Sequence, residues 1–314
     1  MTSAPLAAVG EAPSALDTRG PAAEVIANVW WLLLGLGTAA FLIAMGFLLV
    51  ASIRTARERE PGNRFIVGWG IVFPGVLFTG LLGLHIYAGT ETYRPNPDPE
   101  LTVEVIGFQF WWEMRYDDGE VVTANELVIP AGQPVELTLL ADDVIHSFWI
   151  PALHGKMDMI PGRANTFWVE ADEPGSYHGY CAEYCGIQHA RMQLTATALE
   201  PEEFDAWLEE RTQPAEDPET DLAQQGMEVF EDAGCINCHG VQGHFPDPPE
   251  IIAPDLTHLA SRKTLAAGIL ENNRGNLAGW LLTPQDLKPG NRMPGTDLDG
   301  EELQALLAYL EGLE

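Results

Sequence analysis

Cys181-Ala-Glu-Tyr-Cys185-Gly-Ile-Gln-His189-Ala-Arg-Met192 places two thiols, an imidazole and a thioether within twelve residues. Soft sulfur with borderline nitrogen suits copper, whereas hard cations such as magnesium take oxygen. The residues before this stretch read as a frame that holds it beside a membrane. The residues beyond it read as a second redox centre.

The cysteine pattern sharpens this. The four cysteines fall in two short-range pairs, Cys181/Cys185 and Cys235/Cys238, with none left to staple distant loops. A C-x3-C disulfide is the alternative for the first pair, but the ligand-type residues beside it favour a metal. The 314 residues carry a formal net charge of -30. That excludes nucleic acid as a partner and favours a cationic protein, whose approach such a field would steer.

Residues 1–24 are rich in Ala, Pro and Gly without periodicity and read as a disordered arm. They lack the basic stretch that opens an ordinary signal peptide. Two uncharged apolar runs come next, Val29 to about Ile53 and Phe65 to Ala88. Each exceeds the ~20 residues that cross a bilayer and lacks the polar stripe of a globular helix. They predict a two-helix transmembrane hairpin over residues 25–90. The loop between them carries Arg54, Arg57, Arg59 and Arg64, four of the sixteen basic residues. By the positive-inside rule it is cytoplasmic, with both termini and the redox domains on the periplasmic side of a bacterial cell membrane.

From Leu101 the texture turns to β. Leu101–Phe110, Glu126–Ile129, Val135–Leu140, Ser147–Ile150 and Thr166–Glu170 are short runs separated by Gly, Pro and Asp. They predict a β-sandwich over residues 91–200, whose loops gather at one end. Residues 201–220 read as a connector, a short helix from Pro201 and then a semi-flexible Pro-containing linker. Residues 221–314 read as a small all-α domain, with helices over Leu222–Ala233 and Gly300–Leu313.

Three metal sites compete for the first cluster. A mononuclear blue-copper centre uses one Cys, two His and a weak Met, and structural zinc takes two Cys and two His. Two thiolates bridging two copper ions would give each ion one terminal His, with Met192 and a backbone carbonyl as weak axial ligands. A closed zinc site has no use for the thioether.

The segment resembles the CuA motif of cytochrome c oxidase subunit II, C-x-E-x-C-G-x-x-H-x-x-M. Asp143-Val144-Ile145-His146-Ser147 is similar to the segment that supplies that family's first His, and Pro161-Gly162-Arg163 is also family-like. The resemblance covers residues ~25–210 and implies a cupredoxin-like sandwich. It implies that His146, Cys181, Cys185, His189 and Met192 bind copper through side chains and Glu183 through its carbonyl. The Glu183 carboxylate would help hold Mg2+ where subunit I meets this chain. The family's aromatic block, Gln-Trp-Tyr-Trp, receives electrons from soluble cytochrome c at its first Trp. Here it is Gln109-Phe110-Trp111-Trp112, with Phe110 at the point of arrival. Many relatives also carry a Glu before the second helix, at the mouth of a proton channel. Pro61 to Phe73 contain no acid.

Cys235-Ile-Asn-Cys238-His239 is the C-x-x-C-H pattern of covalent haem attachment, with His239 as the proximal ligand. Met293, the only Met after His239, is the candidate for the opposite face, and His258 is the alternative. His/Met ligation raises the haem potential. The domain resembles class I cytochromes c, and Lys288-Pro-Gly-Asn-Arg-Met-Pro is typical of the version fused to oxidase subunit II.

These readings converge on a multidomain membrane protein, the electron-input subunit of a cytochrome c oxidase, itself an oxidoreductase and translocase. A donor such as cytochrome c, docking on the tethered haem domain, would feed haem c, then CuA, then the haem–copper centre of subunit I for O2 reduction. Phe110, Trp111 and Trp112 would carry the path between. The alternative is the same module feeding a nitric oxide reductase.

Overall fold

A computed structural model describes residues 14–53, 62–93, 99–116 and 119–314. Two long apolar helices open it, Pro21–Ile53 and Asn63–Thr92, each long and apolar enough to cross a membrane. At 1.5 Å per residue each is long enough for a ~30 Å hydrocarbon layer. Leu48, Leu49 and Phe78 point outward, as side chains made for lipid do. The second helix carries a π-helical turn at Gly68–Val72, just before Pro74. Proline lacks the N–H that would continue the ladder, and the wider turn absorbs the break. Most of the basic loop, residues 54–61, lies outside the described residues, as do residues 1–13 of the expected arm.

Ser14–Glu24 depart from the expectation of disorder. Arg19 N donates to Ala152 O at 2.7 Å, Asp172 N to Arg19 O at 2.9 Å, and Ala23 N to Leu153 O at 3.2 Å. Gly20 lies so close to the sandwich that a Cβ would collide with the Glu170 carbonyl. The composition is that of a loose arm, but its backbone groups have fixed partners. The exit of the second helix is held at the same corner: His154 Nε2 lies 2.8 Å from Thr92 O.

The sandwich has two five-stranded sheets. One is ordered β3(Val121–Ala124)–β2(Trp111–Tyr116)–β1(Thr102–Phe108)–β5(Val135–Ala141)–β8(Asn165–Val169). The other runs β4(Glu126–Pro130)–β10(Gln193–Leu199)–β9(Gly175–Cys181)–β6(His146–Trp149)–β7(Met157–Met159). β1/β5 and β4/β10 pair in parallel and the remaining neighbours antiparallel. Strand periodicity builds the core: Val135, Leu137 and Leu139 of β5 are buried, and Glu136 and Thr138 between them are not. They meet Val103, Val105, Trp112, Leu127, Phe148 and Leu194. The Tyr116 hydroxyl is buried there, accepting from Val128 N at 2.7 Å and donating to Val128 O at 3.0 Å.

The helix Pro201–Arg211 buries Phe204 in the sandwich core. The segment after it is tied down, not free: Ala215 joins the core of the C-terminal domain and its N–H donates to Gln242 O at 2.9 Å. In that domain Asp221–Asp232 and Gly300–Leu310 cross, each capped at its N-terminus. Gly226 sits at the crossing, where a Cβ would collide with the Ala305 carbonyl. Arg274–Leu282 and Pro284–Leu287 complete the helices, and a small hairpin, β11(Thr264–Leu265) with β12(Leu270–Glu271), adds to the expected all-α plan.

Candidate metal and haem sites

The twelve-residue stretch spans the junction from β9 to β10. Cys181 ends β9, and its N–H donates to Met192 O at 2.9 Å, closing the loop at its base. Gly186 turns the loop at φ +133, and a Cβ there would lie 3.0 Å from the Phe110 ring. His146 begins β6, the strand that pairs with β9.

The predicted ligands converge. Cys181 Sγ and Cys185 Sγ are 3.8 Å apart. Each faces one imidazole: His146 Nδ1 is 3.9 Å from Cys181 Sγ, and His189 Nδ1 is 3.9 Å from Cys185 Sγ. Each also has one weak donor, Glu183 O at 3.1 Å from Cys181 Sγ and Met192 Sδ at 3.8 Å from Cys185 Sγ. His146, Cys181, Cys185 and Met192 are buried, and His189 is half-buried. A central sulfur pair with one nitrogen and one weak donor per sulfur has the symmetry of two ions, and so fits a dinuclear copper group.

Electrostatics prepares the donors. His146 Nε2 donates to Asp143 Oδ1 at 3.0 Å, which leaves Nδ1 free to face the sulfurs. Burial pushes the Asp143 carboxyl up, but hydrogen bonds from His146 and from the N–H groups of Gln109 and Val144 outweigh it and hold it low. Burial likewise pulls His146 down, and Asp143 with Cys181 raises it above its ordinary value. The hydrogen bond between the two thiols lowers the first ionisation of the Cys181/Cys185 pair, and the resulting thiolate pushes the second up. Without a cation the pair gives up one proton readily and holds the second.

The aromatic block links this loop to the C-terminal domain. Gln109 N donates to Asp143 Oδ2 at 2.8 Å, and Gln109 Nε2 to Cys185 O at 2.6 Å. Trp112 is fully buried with its ring 5.9 Å from His146. Trp111 faces the other way and stacks on Phe108 at 4.6 Å.

Phe110 and Trp111 line a cavity of about 360 Å3 together with Cys235, Cys238, His239, Trp280 and Met293. Its walls are otherwise mostly apolar, including Leu259, Leu265, Leu277 and Leu281. His239 Nδ1 donates to Pro254 O at 2.6 Å, leaving Nε2 as the free lone pair. A thiol pair, an oriented imidazole and a thioether around one apolar cavity fit a covalently held haem. His258 lies elsewhere, its ring nitrogens 2.9 Å from Glu314 O and 3.3 Å from Arg211 O.

Four residues that the sequence motifs contain but give no role take part in this arrangement: Gln109, Asp143, Lys288 and Arg292. Asp143, three residues before a ligand His, carried the signal of an orienting carboxylate. The other three meet across the boundary between domains, where Arg292 Nη2 donates to Gln109 Oε1 at 3.3 Å and Lys288 Nζ to Phe110 O at 3.0 Å, and no local pattern reveals such contacts.

Comparison with known proteins identifies both domains. The family described as cytochrome C oxidase subunit II, periplasmic domain, matches residues 119–199, and cytochrome c matches residues 223–314. Cytochrome c oxidase subunit 2 of Alkalihalophilus pseudofirmus is 38% identical over 319 residues, covering 96% of this chain and 91% of that protein. Its counterpart in Bacillus subtilis is 34% identical over 279 residues, covering 83% and 78%. The crystal structure of the periplasmic domain of cytochrome oxidase subunit II from Bradyrhizobium japonicum is similar at 32% identity and TM-score 0.35, over 37% of this chain and 95% of that one.

Proposed function

The chain belongs to the cytochrome c oxidase subunit II family, and from that premise we propose the route it serves. It is an electron-transfer subunit of the oxidase joined to a cytochrome c domain. Cys235, Cys238, His239 and Met293 hold haem c. His146, Cys181, Glu183, Cys185, His189 and Met192 hold the copper pair. When bound, each group supplies a one-electron couple. Electrons run from an external donor to the haem domain, then to the copper domain, then to subunit I, where O2 reduction and proton translocation take place. The relatives in Alkalihalophilus and Bacillus carry the oxidase name, which favours oxygen over nitric oxide as acceptor.

One observation carries this reading. Phe110 and Trp111 line the haem cavity, while Gln109 beside them bonds the carbonyl of Cys185. The block therefore spans from one site to the other. Phe110 and Trp111 are each only 8% exposed, so an external donor meets the haem domain first. The net charge of -30 suits a small cationic donor. The Glu183 carboxylate is the residue proposed for Mg2+ at the subunit I boundary. The arginines of the loop after Ile53 favour a bacterial membrane location with both helices spanning and the redox domains periplasmic.

The test uses the oxidase complex with Cys235→Ala and Cys238→Ala, which removes haem attachment. The copper site should then stay oxidised in the presence of the protein donor, yet accept electrons from a small chemical reductant. Copper reduced at the wild-type rate by the protein donor would overturn the route.

A further inference from the structure

Lys288 is 2% exposed, and its ammonium reaches both domains. Nζ donates to Phe110 O of the copper domain at 3.0 Å and to Ala266 O of the haem domain at 2.8 Å. No carboxylate pairs with it among the described residues. Burial pushes its pKa down to about 7, and the only partners of the buried Nζ–H groups among the described residues are two neutral carbonyls. Without it, the Phe110 and Ala266 carbonyl oxygens, from different domains, would each lose this donor.

The surroundings are built to the same end. Ala266 and Ala267 both adopt left-handed backbone, φ 55 and 60, a conformation that is strained for any residue with a Cβ. That turn aims Ala266 O at Lys288 and lets Ala267 O accept from Gln193 N at 3.1 Å. The Ala267 methyl enters an apolar cluster of the copper domain, Ile106, Phe108, Trp111 and Ala124. The loop that carries Lys288 makes further contacts. Arg191 Nη1 donates to Leu287 O at 2.9 Å, Gln188 Nε2 to Pro289 O, and Arg292 Nη2 to Asp143 Oδ2 at 3.1 Å. Gly290 passes so near Ile187 that a Cβ would lie 2.6 Å from its Cγ2. The loop ends at Met293, the haem-ligand candidate.

We propose that Lys288 is the latch that docks the haem domain on the copper domain of its own chain, a positioning residue that holds Phe110 against the haem cavity. The proposal rests on the haem-to-copper route for its consequence, which is transfer of one electron from ferrous haem to the oxidised copper pair within one docked chain. The docking itself stands on the contacts alone.

The test keeps the two apart. In the full chain, a specific protease site replaces Glu216–Glu219 of the connector, and the cut protein is held through its membrane part. The haem domain of the otherwise wild-type protein should stay bound. With Lys288→Met it should leave at least about tenfold faster, the effect of taking this donor from both carbonyls, while the haem absorption typical of Met ligation is unchanged. Lys288→Gln, which keeps a donor without the charge, should fall between, and it serves if the Met variant fails to take up haem. Equal retention of the wild-type, Met and Gln proteins would overturn the latch. Flash reduction of the uncut protein then reads haem-to-copper transfer, which should slow in Lys288→Met. Release without any slowing would leave the latch standing and count against the route.

Discussion

The Asp143 carboxylate accepts the Nε2–H of His146 at 3.0 Å. One proton position thus sets the tautomer of a copper ligand, because only the Nε2–H form leaves Nδ1 as a lone pair toward Cys181. The other carboxylate oxygen takes the Gln109 N–H at 2.8 Å and Arg292 Nη2 at 3.1 Å. Asp143→Asn keeps the shape but loses the charge and one acceptor. It should weaken copper binding roughly 10–100-fold, the usual cost of losing an orienting partner. Competition with a copper chelator measures this, and unchanged affinity would mean that packing alone orients His146.

Gly186 tests the loop. Its φ of +133 lies where side chains are strained, and a Cβ would press on the Phe110 ring and on Gln109 Nε2 at 3.0 Å. Gly186→Ala should cost about 1–3 kcal/mol and reduce copper content without loss of haem. Metal analysis against haem absorbance separates the two sites. Equal loss of both would show that the whole fold, not the loop, has failed.

Met293→Ala should lower the haem potential or leave the iron high-spin, since a thioether axial ligand raises the potential. His258→Ala should change neither, because its ring nitrogens face Glu314 O and Arg211 O outside the cavity. Redox titration of both variants checks this. An unchanged spectrum in Met293→Ala would reassign the ligand.

The sites were legible where chemistry forces ligands into a short window. Cys181–Met192 and Cys235–His239 are such windows, because most donors of each site sit on one loop. His146 lies 35 positions before Cys181, and only its place at a turn of the sandwich and the family resemblance point to it. Alternation marked β5 clearly, but Gly175–Cys181 reads Gly-Ser-Tyr-His-Gly-Tyr-Cys, too mixed to show a face. Lys288 was illegible: lysine is normally exposed, and the carbonyl that binds it comes from 178 positions earlier. The ordered Ser14–Gly20 escaped for a similar reason. Its partners are backbone groups of Ala152 and Asp172, which leave no trace in composition.

His154 supplies a prediction with a sign. It is buried among Tyr93, Phe167 and Trp168, with Nε2 against the Thr92 carbonyl that ends the second helix. Burial lowers its pKa below the ordinary 6.5, more than its carbonyl partners raise it. A depressed histidine binds fewer protons folded than unfolded. Its contribution is therefore complete above pH 6.5 and is lost as the pH falls from 6.5 toward the lower folded value, by at most about 1.4 kcal/mol per pH unit. Glu113, Glu126 and Asp255, which burial raises, titrate with the opposite sign. The comparison is therefore between variants. Melting of the full chain in detergent, tracked from pH 8 to pH 5, should fall more steeply for wild type than for His154→Gln. Parallel curves would move the acid sensitivity to another group, and would leave His154 only a packing role at the corner where the helices meet the sandwich.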